Sequence, residues 1–180
     1  MIQKNFTSKG IVLSRKYFSE ADAIVTLLTL DFGKKSFVAK GIKRLTSKKR
    51  GTLEPFSEIS FSATETNALP ILTETQSLNH FSGVRSDLKK VTVAYYFLEL
   101  VSKVSYEGQK DEDLYKIVYK YLKVLENTSR LKTLRKSFAK EILVHGGFWS
   151  EDQEIPEIDF GVEKIIEKSL NSLRVGRALM

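Results

Sequence analysis

The chain contains no cysteine, which removes disulfides, thiolate nucleophiles, cysteine-ligated zinc and iron–sulfur clusters together. Histidine is almost as scarce. Neither His80 nor His145 stands in a metal-ligand spacing such as HxxxH, so both read as structural residues. The signatures GxxxxGK[ST], GxGxxG and GxSxG are missing as well, and nucleotide-dependent chemistry on a standard loop loses its support. With no nucleophile–base pair and no metal constellation, a hydrolase or transferase is the least supported class, and no cofactor or metal is expected. Long apolar runs are also lacking. Residues 23–30 and 91–100 come nearest, but Thr or Glu interrupts each, and both fall far short of the roughly 20 residues that span a bilayer. No signal-peptide core follows Lys4 and Lys9. The expectation is a soluble cytoplasmic protein without membrane contact.

What is present is an ordinary globular composition. The 180 residues are 42% hydrophobic and 28% charged with only 3 prolines, enough for one large domain or two small ones around a real core. The net charge of +7 is unevenly placed: residues 1–53 hold 12 Lys/Arg against 3 Asp/Glu, a balance of +9 that leaves −2 for the remainder. Lys34, Lys35, Lys40, Lys43, Arg44, Lys48, Lys49 and Arg50 fall within 17 residues that include no acid. Such a run sets up a positive field that attracts polyanions. The opposite cluster, Glu151, Asp152, Glu154, Glu157 and Asp159, fits no EF-hand spacing and reads as a solvated connection.

Up to about residue 78 the apolar residues come in short runs separated by turn signals, which predicts strands over 11–13, 23–30, 36–40, 58–63 and 71–78. Asp31-Phe32-Gly33-Lys34 predicts a hairpin between the second and third, and Pro70 suits a strand start. Five short strands with a long basic connection after the third suggest a small barrel of the OB type, and an SH3-like barrel fits the pattern as well. The period then changes. Leu88, Val91, Tyr95, Leu98, Val101 and Val104 mark a helix capped by Ser86 and Asp87. Leu114, Ile117, Val118, Tyr121, Leu122 and Leu125 mark a second, and Leu131, Leu134, Phe138 and Ile142 a third that stops at Gly146-Gly147. A fourth is predicted from about Phe160 to Leu173. The fold class is therefore α+β, with a five-stranded barrel of the OB or SH3-like type over residues 1–80, the OB-fold being expected, followed by an all-α domain over 81–180.

A one-signed basic run on a hairpin and its following connection, with Tyr17, Phe18, Phe32 and Phe37 as candidates either to stack on bases or, Phe37 foremost, to belong to the core, favours a nucleic-acid surface that reads backbone rather than sequence. Two other readings are an interaction scaffold that docks an acidic protein tail and an OB-fold RNA-binding protein.

The series Lys9-Gly-Ile-Val-Leu13, Tyr17-Phe-Ser-Glu20, Thr29, Gly33, Val38-Ala-Lys-Gly-Ile-Lys-Arg44, Ser47 and Leu53-Glu-Pro-Phe56 resembles, in order and spacing, the N-terminal domain of the RecO family of bacterial recombination mediators. Ser137-Phe-Ala-Lys-Glu-Ile-Leu-Val-His-Gly-Gly-Phe148 resembles the family helix that ends in a Gly-aromatic turn. The resemblance implies a non-enzymatic mediator that binds single- and double-stranded DNA, anneals complementary strands and helps to load recombinase in recombinational repair. It implies RecR and single-stranded DNA-binding protein as partners, and a place in the cytoplasm on the nucleoid. Many family members carry a four-cysteine zinc module after this helix; here residues 150–160 stand in its place. The family also docks the acidic tail of single-stranded DNA-binding protein on its helical domain, which points to Arg130, Lys132, Arg135 and Lys136, with Lys140, beside Leu131, Leu134 and Phe138.

Overall fold

The computed structural model describes residues 4–44, 47, 49–153 and 162, and divides the chain into two compact units. The first is Met1–His80 with Tyr106–Tyr115; the second is Phe81–Ser105 with Lys116–Met180. The helix expected from about Phe160 to Leu173, and Glu154, Glu157 and Asp159 of the acidic cluster, lie outside the described residues. No described helix is long and apolar enough to cross a membrane.

The first unit is a closed barrel of β1 (Asn5–Tyr17), β2 (Ala23–Thr29), β3 (Gly33–Ala39), β4 (Glu58–Thr64) and β5 (Ile71–Asn79), in the order β1-β2-β3-β5-β4. All neighbours are antiparallel except β3 and β5, which meet in parallel through Val38 and Ile71. That order makes the barrel an OB-fold and decides against the SH3-like alternative. The Val38 N–H donates to the Pro70 carbonyl at 2.8 Å, just where the ring nitrogen of Pro70 has no ladder bond to lose.

All five predicted strands are present. The first is much longer than 11–13, because only Ile11, Val12 and Leu13 are covered on both faces while Asn5, Thr7 and Lys9 alternate outward. β1 pairs with β4 from Asn5 to Ile11 and with β2 from Gly10 to Tyr17, so one strand serves both halves of the barrel. It crosses over at buried Gly10, where a methyl group would press on Leu27 Cβ at 3.3 Å. Inward residues such as Val25, Leu27, Phe37, Ile59 and Phe61 fill the barrel, and the Phe37 and Phe61 rings meet edge to face at 5.1 Å. The connection between β3 and β4 closes one mouth. It contains α1 (Lys49–Thr52), a short helix the sequence did not reveal, and it buries Ile42 and Leu53 completely.

The β2–β3 hairpin forms as expected. The Thr29 hydroxyl accepts from the Phe32 N–H at 3.0 Å and donates to the Gly33 carbonyl at 2.8 Å, while Gly33 takes φ +66°. The same glycine admits a second segment of this unit. Residues 106–110 lie against β3, the Gly108 N–H donating to the Lys34 carbonyl at 2.8 Å and Gln109 O standing 1.8 Å from where a Gly33 Cβ would be. Tyr115 anchors the segment's far end by donating to Glu58 Oε1 at 2.8 Å.

The second unit contains α2 (Ser82–Arg85), α3 (Leu88–Val104), most of α4 (Glu112–Asn127) and α5 (Leu131–His145). Asp87 caps α3 as expected, its carboxylate accepting from Lys89 N–H at 2.8 Å and Lys90 N–H at 3.4 Å. The predicted stripe on α3 is half right. Leu98, Val101 and Val104 are buried, but Leu88 is 64% and Tyr95 46% exposed, and Val93, Ala94, Tyr96, Phe97 and Leu100 are buried instead. A helix covered on most sides shows no single apolar stripe, so periodicity misplaces its face. At the centre Phe138 of α5 lies 4.0 Å from Phe97 and 5.1 Å from Tyr121. Tyr121 donates to Glu141, which also receives Lys120 at 2.7 Å. Burial opposes ionisation of Glu141, yet the bonds from Lys120 and Tyr121 and the nearby His145 outweigh it and hold the carboxyl below its ordinary range.

Gly33→Ala should lower unfolding stability by about 2 kcal/mol or more, since it combines a left-handed backbone with a collision against backbone. Gly51→Ala, with nothing within 4 Å and an ordinary φ, should be neutral or stabilising. Urea unfolding of both variants checks the contrast, and equal stability would show that residues 106–110 do not dock on Gly33.

Candidate nucleic-acid interface

The basic run is continuous in sequence but not in space. Lys34 and Lys35 begin β3 beside the β2–β3 hairpin, whereas Lys40, Lys43 and Arg44 follow its other end. Six residues of strand separate Lys34 from Lys40, about 20 Å. Alternation then separates the neighbours. Lys35 shares the inward face with Phe37 and Ala39, and its ammonium pairs with Glu65 at 2.7 Å and sits 5.1 Å from the Phe6 ring and 5.8 Å from Phe32. Lys34, Ser36 and Val38 face outward.

At the other end of β3 the register sets Ala39 against Ala23 and Ala23 against Tyr17, so the β1–β2 turn, residues 18–22, lies beside residues 40–44. The two are tied at several points. Asp22 Oδ1 accepts from the Gly41 N–H at 2.8 Å, and Lys43 donates its N–H to the Ala21 carbonyl at 3.1 Å and its ammonium to the Ser19 carbonyl at 3.2 Å. Ser19 Oγ in turn accepts from the Asp22 N–H at 2.9 Å. Tyr17 stands over this platform, 41% exposed, with Lys43 Nζ 4.6 Å and Arg15 Cζ 5.4 Å from its ring centroid. Phe18 next to it is 55% exposed.

Arg15 has a second role. Its guanidinium donates to the carbonyls of Arg50 and Leu53 at 3.1 and 3.2 Å, fixing α1 against β1. Neither Arg15 nor Lys16 belongs to the predicted site, because they precede Lys34, the start of the basic run, by 19 and 18 positions and only the β1–β2–β3 register brings them beside it. Together, residues 15–22 and the described part of 40–53 carry seven Lys/Arg against Glu20 and Asp22. Lys16, Lys40, Arg44 and Arg50 are exposed, and their side chains have no acceptor among the described residues. Lys49 is different: its ammonium donates to the Leu72 carbonyl at 2.6 Å, and burial pushes its pKa down. Lys48 lies outside the described residues.

A groove of about 820 Å³ across β1, β4 and β5 is lined by hydroxyls and by Lys9 and Lys49 against Asp31 and Glu74. Those charges cancel. The surface suited to a polyanion is the end formed by the β1–β2 turn and the residues after β3.

The family model for the N-terminal part of recombination protein O matches residues 1–81, and that for its C-terminal part matches residues 85–149. The chain belongs to the RecO family. It is 33% identical over 144 residues to the DNA repair protein RecO of Rubrobacter xylanophilus, covering 79% of this chain and 58% of the relative. It is 32% identical over 136 residues to that of Geobacter metallireducens, covering 76% and 56%. The chain thus spans less than three-fifths of the length of these curated RecO relatives.

In this RecO-family chain the tail-binding site expected on α5 is altered by burial. Phe138 is fully buried in the aromatic stack described above, and Arg135 is 8% exposed with its guanidinium 5.5 Å from the Tyr96 ring. Neither is on the surface to receive a peptide. Arg130, Lys132 and Lys136 are exposed, and Leu131 and Leu134 are half-buried. The misreading has a simple source: α5 is covered over a wider arc than its apolar row alone implies, and Tyr96 supplies an aromatic face for Arg135 that the local sequence does not show.

Arg15→Ala should cost about 1–2 kcal/mol, since it removes two charge-assisted but partly solvated hydrogen bonds that hold α1. Urea unfolding measures the loss. A variant as stable as the parent would mean that α1 is held without Arg15, by Lys49 on the Leu72 carbonyl, Thr52 on Thr75 and the burial of Leu53.

Proposed function

We propose that the barrel end built from Arg15–Lys16, the β1–β2 turn, Lys40, Lys43, Arg44 and Arg50 binds single- and double-stranded DNA, and that the chain acts without catalysis in DNA repair and recombination. The observation that carries this reading is the exposed Tyr17–Phe18 pair set among unneutralised cations on a hydrogen-bonded platform. Phosphates need cations that have not already been neutralised, and bases need an exposed ring; this end of the barrel offers both. Lys34 lies at the other end of β3, and Lys35 and Lys49 serve the barrel itself. On this reading binding is driven by backbone charge and stacking and is nearly independent of sequence.

Annealing needs two strands with their charge neutralised and their bases accessible, and no bond is made or broken in the protein. The names of the relatives, which call them DNA repair proteins, support the process. Loading of recombinase together with RecR and single-stranded DNA-binding protein is proposed from the family resemblance.

Fluorescence anisotropy with a labelled single strand at several salt concentrations tests the site. If about five cations meet phosphates, log K should fall with log salt with a slope of roughly −3.5. Lys43→Glu with Arg44→Glu should weaken binding by more than about tenfold, and Phe18→Ala by about tenfold on single strands with far less effect on duplex. Lys35→Ala should change affinity less than about twofold, because that ammonium is already paired. Undiminished binding by the folded Lys43/Arg44 variant would move the site elsewhere.

A further inference from the structure

Three lysines of the helical unit are held by partners within it. Lys90 donates to the Glu126 carbonyl at 2.6 Å, Lys120 to Glu141 at 2.7 Å and Lys123 to the Glu126 carboxylate at 3.3 Å. Helix α5 departs from that pattern. Residues 128–140 include Arg130, Lys132, Arg135, Lys136 and Lys140 and no acid, and the side chains of all but Arg135 have no acceptor among the described residues.

The arrangement is a row. Lys132, Lys136 and Lys140 recur every four residues, about 6 Å apart along the helix, with the hydroxyls of Thr133 and Ser137 beside them. Thr133 and Ser137 are exposed like Lys132 and Lys136, and Lys140 is half-buried. The charge also begins at the wrong end of the helix: the first turn holds no acid, and Arg130 occupies the N-cap position without giving a side-chain cap bond. Arg130 and Lys132 thus stand where the helix dipole disfavours a cation, and with Lys136 and Lys140 they meet no acceptor among the described residues, which leaves them open to an external anion. An acidic peptide with an aromatic anchor needs a ring pocket. Phe138 and Arg135 are turned into the bundle, so the row itself presents cations and hydroxyls, with a groove lined by Ile117, Val144, Glu141 and Glu151 beside Ser137 and Lys140.

We propose that the row Lys132–Lys136–Lys140, with Arg130, Thr133 and Ser137, is a second nucleic-acid site that holds the sugar–phosphate backbone of a strand by charge and hydroxyl contacts. It is independent of the barrel surface in its residues but rests on the reading of the chain as a DNA binder, and annealing gives the second strand its purpose.

The test uses the full chain and a single-stranded oligonucleotide of about 10 nucleotides, within the reach of one binding surface. The parent should bind two oligonucleotides per chain. The triple variant Lys132→Glu, Lys136→Glu, Lys140→Glu should bind one, with its remaining affinity within about twofold of the barrel site and annealing of complementary strands slowed at least tenfold. Glutamate in the first turn suits the helix dipole, and the corresponding Lys→Gln variant, which should act in the same direction, guards against a folding defect. The barrel variant Lys43→Glu, Arg44→Glu should also bind one. The proposal is overturned if the triple variant still binds two oligonucleotides and anneals at the parental rate. It is equally overturned if only binding of an acidic peptide with a terminal aromatic is lost, which would give the face to a protein tail. A parent that binds no oligonucleotide overturns both DNA readings. A barrel variant that binds none, beside a parent that binds two, overturns this one alone.

Discussion

Strand β1 pairs with β4 through its first half and β2 through its second, and the change from one to the other passes through Gly10, where a Cβ would press on Leu27 and Phe61 at 3.3–3.4 Å. That crossing closes the barrel and fixes every register that follows from it. Because side chains alternate with period two, a slip of one residue would exchange Phe37 for Ser36 in the core and turn Lys35 outward. The same register sets Tyr17, Ala23 and Ala39 in one row and Gly10, Thr29 and Gly33 in another, at opposite ends of the barrel. The candidate site is a consequence of the first row.

The count of cations already favours the Tyr17 end over the hairpin end. What separates them further is how much of the charge is already used. Around the hairpin, Lys35 meets Glu65 and two aromatic rings, and residues 106–110 lie against the backbone of Lys34. A phosphate there would have to displace a carboxylate, and since an exposed or half-exposed pair contributes only about 0–1 kcal/mol the displacement is possible but yields little net gain. Around Tyr17, the internal bonds are made mainly by backbone groups, by Asp22 and by Ser19, which leaves Lys16, Lys40, Arg44 and Arg50 to face solvent. Arg15 is used twice, once to hold α1 and once against the Tyr17 ring, and so couples the placement of the basic connection to the placement of the aromatic.

Much of this was legible in the sequence, and the limits have physical causes. The strands and the three described long helices could be read because each half-buried element prints its period on the chain, and Asp87 and Gly33 mark a cap and a turn through chemistry confined to a few residues. The site was legible as a composition and not as a shape. A run of eight basic residues announces a polyanion surface, but whether Lys35 joins Lys34 depends on strand alternation, and whether Arg15 joins Lys43 depends on pairing across three strands. On α5 the failure was of burial: the sequence shows basic and apolar residues interleaved, and only the position of Tyr96 and Phe97 on α3 decides that Arg135 and Phe138 face inward while Lys132 and Lys136 do not.

The claim that a strand is held at the Tyr17 end of the barrel is tested most directly by photo-crosslinking a single-stranded oligonucleotide carrying 5-bromouracil to the full chain and locating the adducts by mass spectrometry. Adducts on the peptide that contains Tyr17 and Phe18 are the expected result, because these are the exposed rings among unneutralised cations. Adducts confined to Phe6 and Phe32 at the opposite end, with Tyr17 and Phe18 unmodified, would contradict the account.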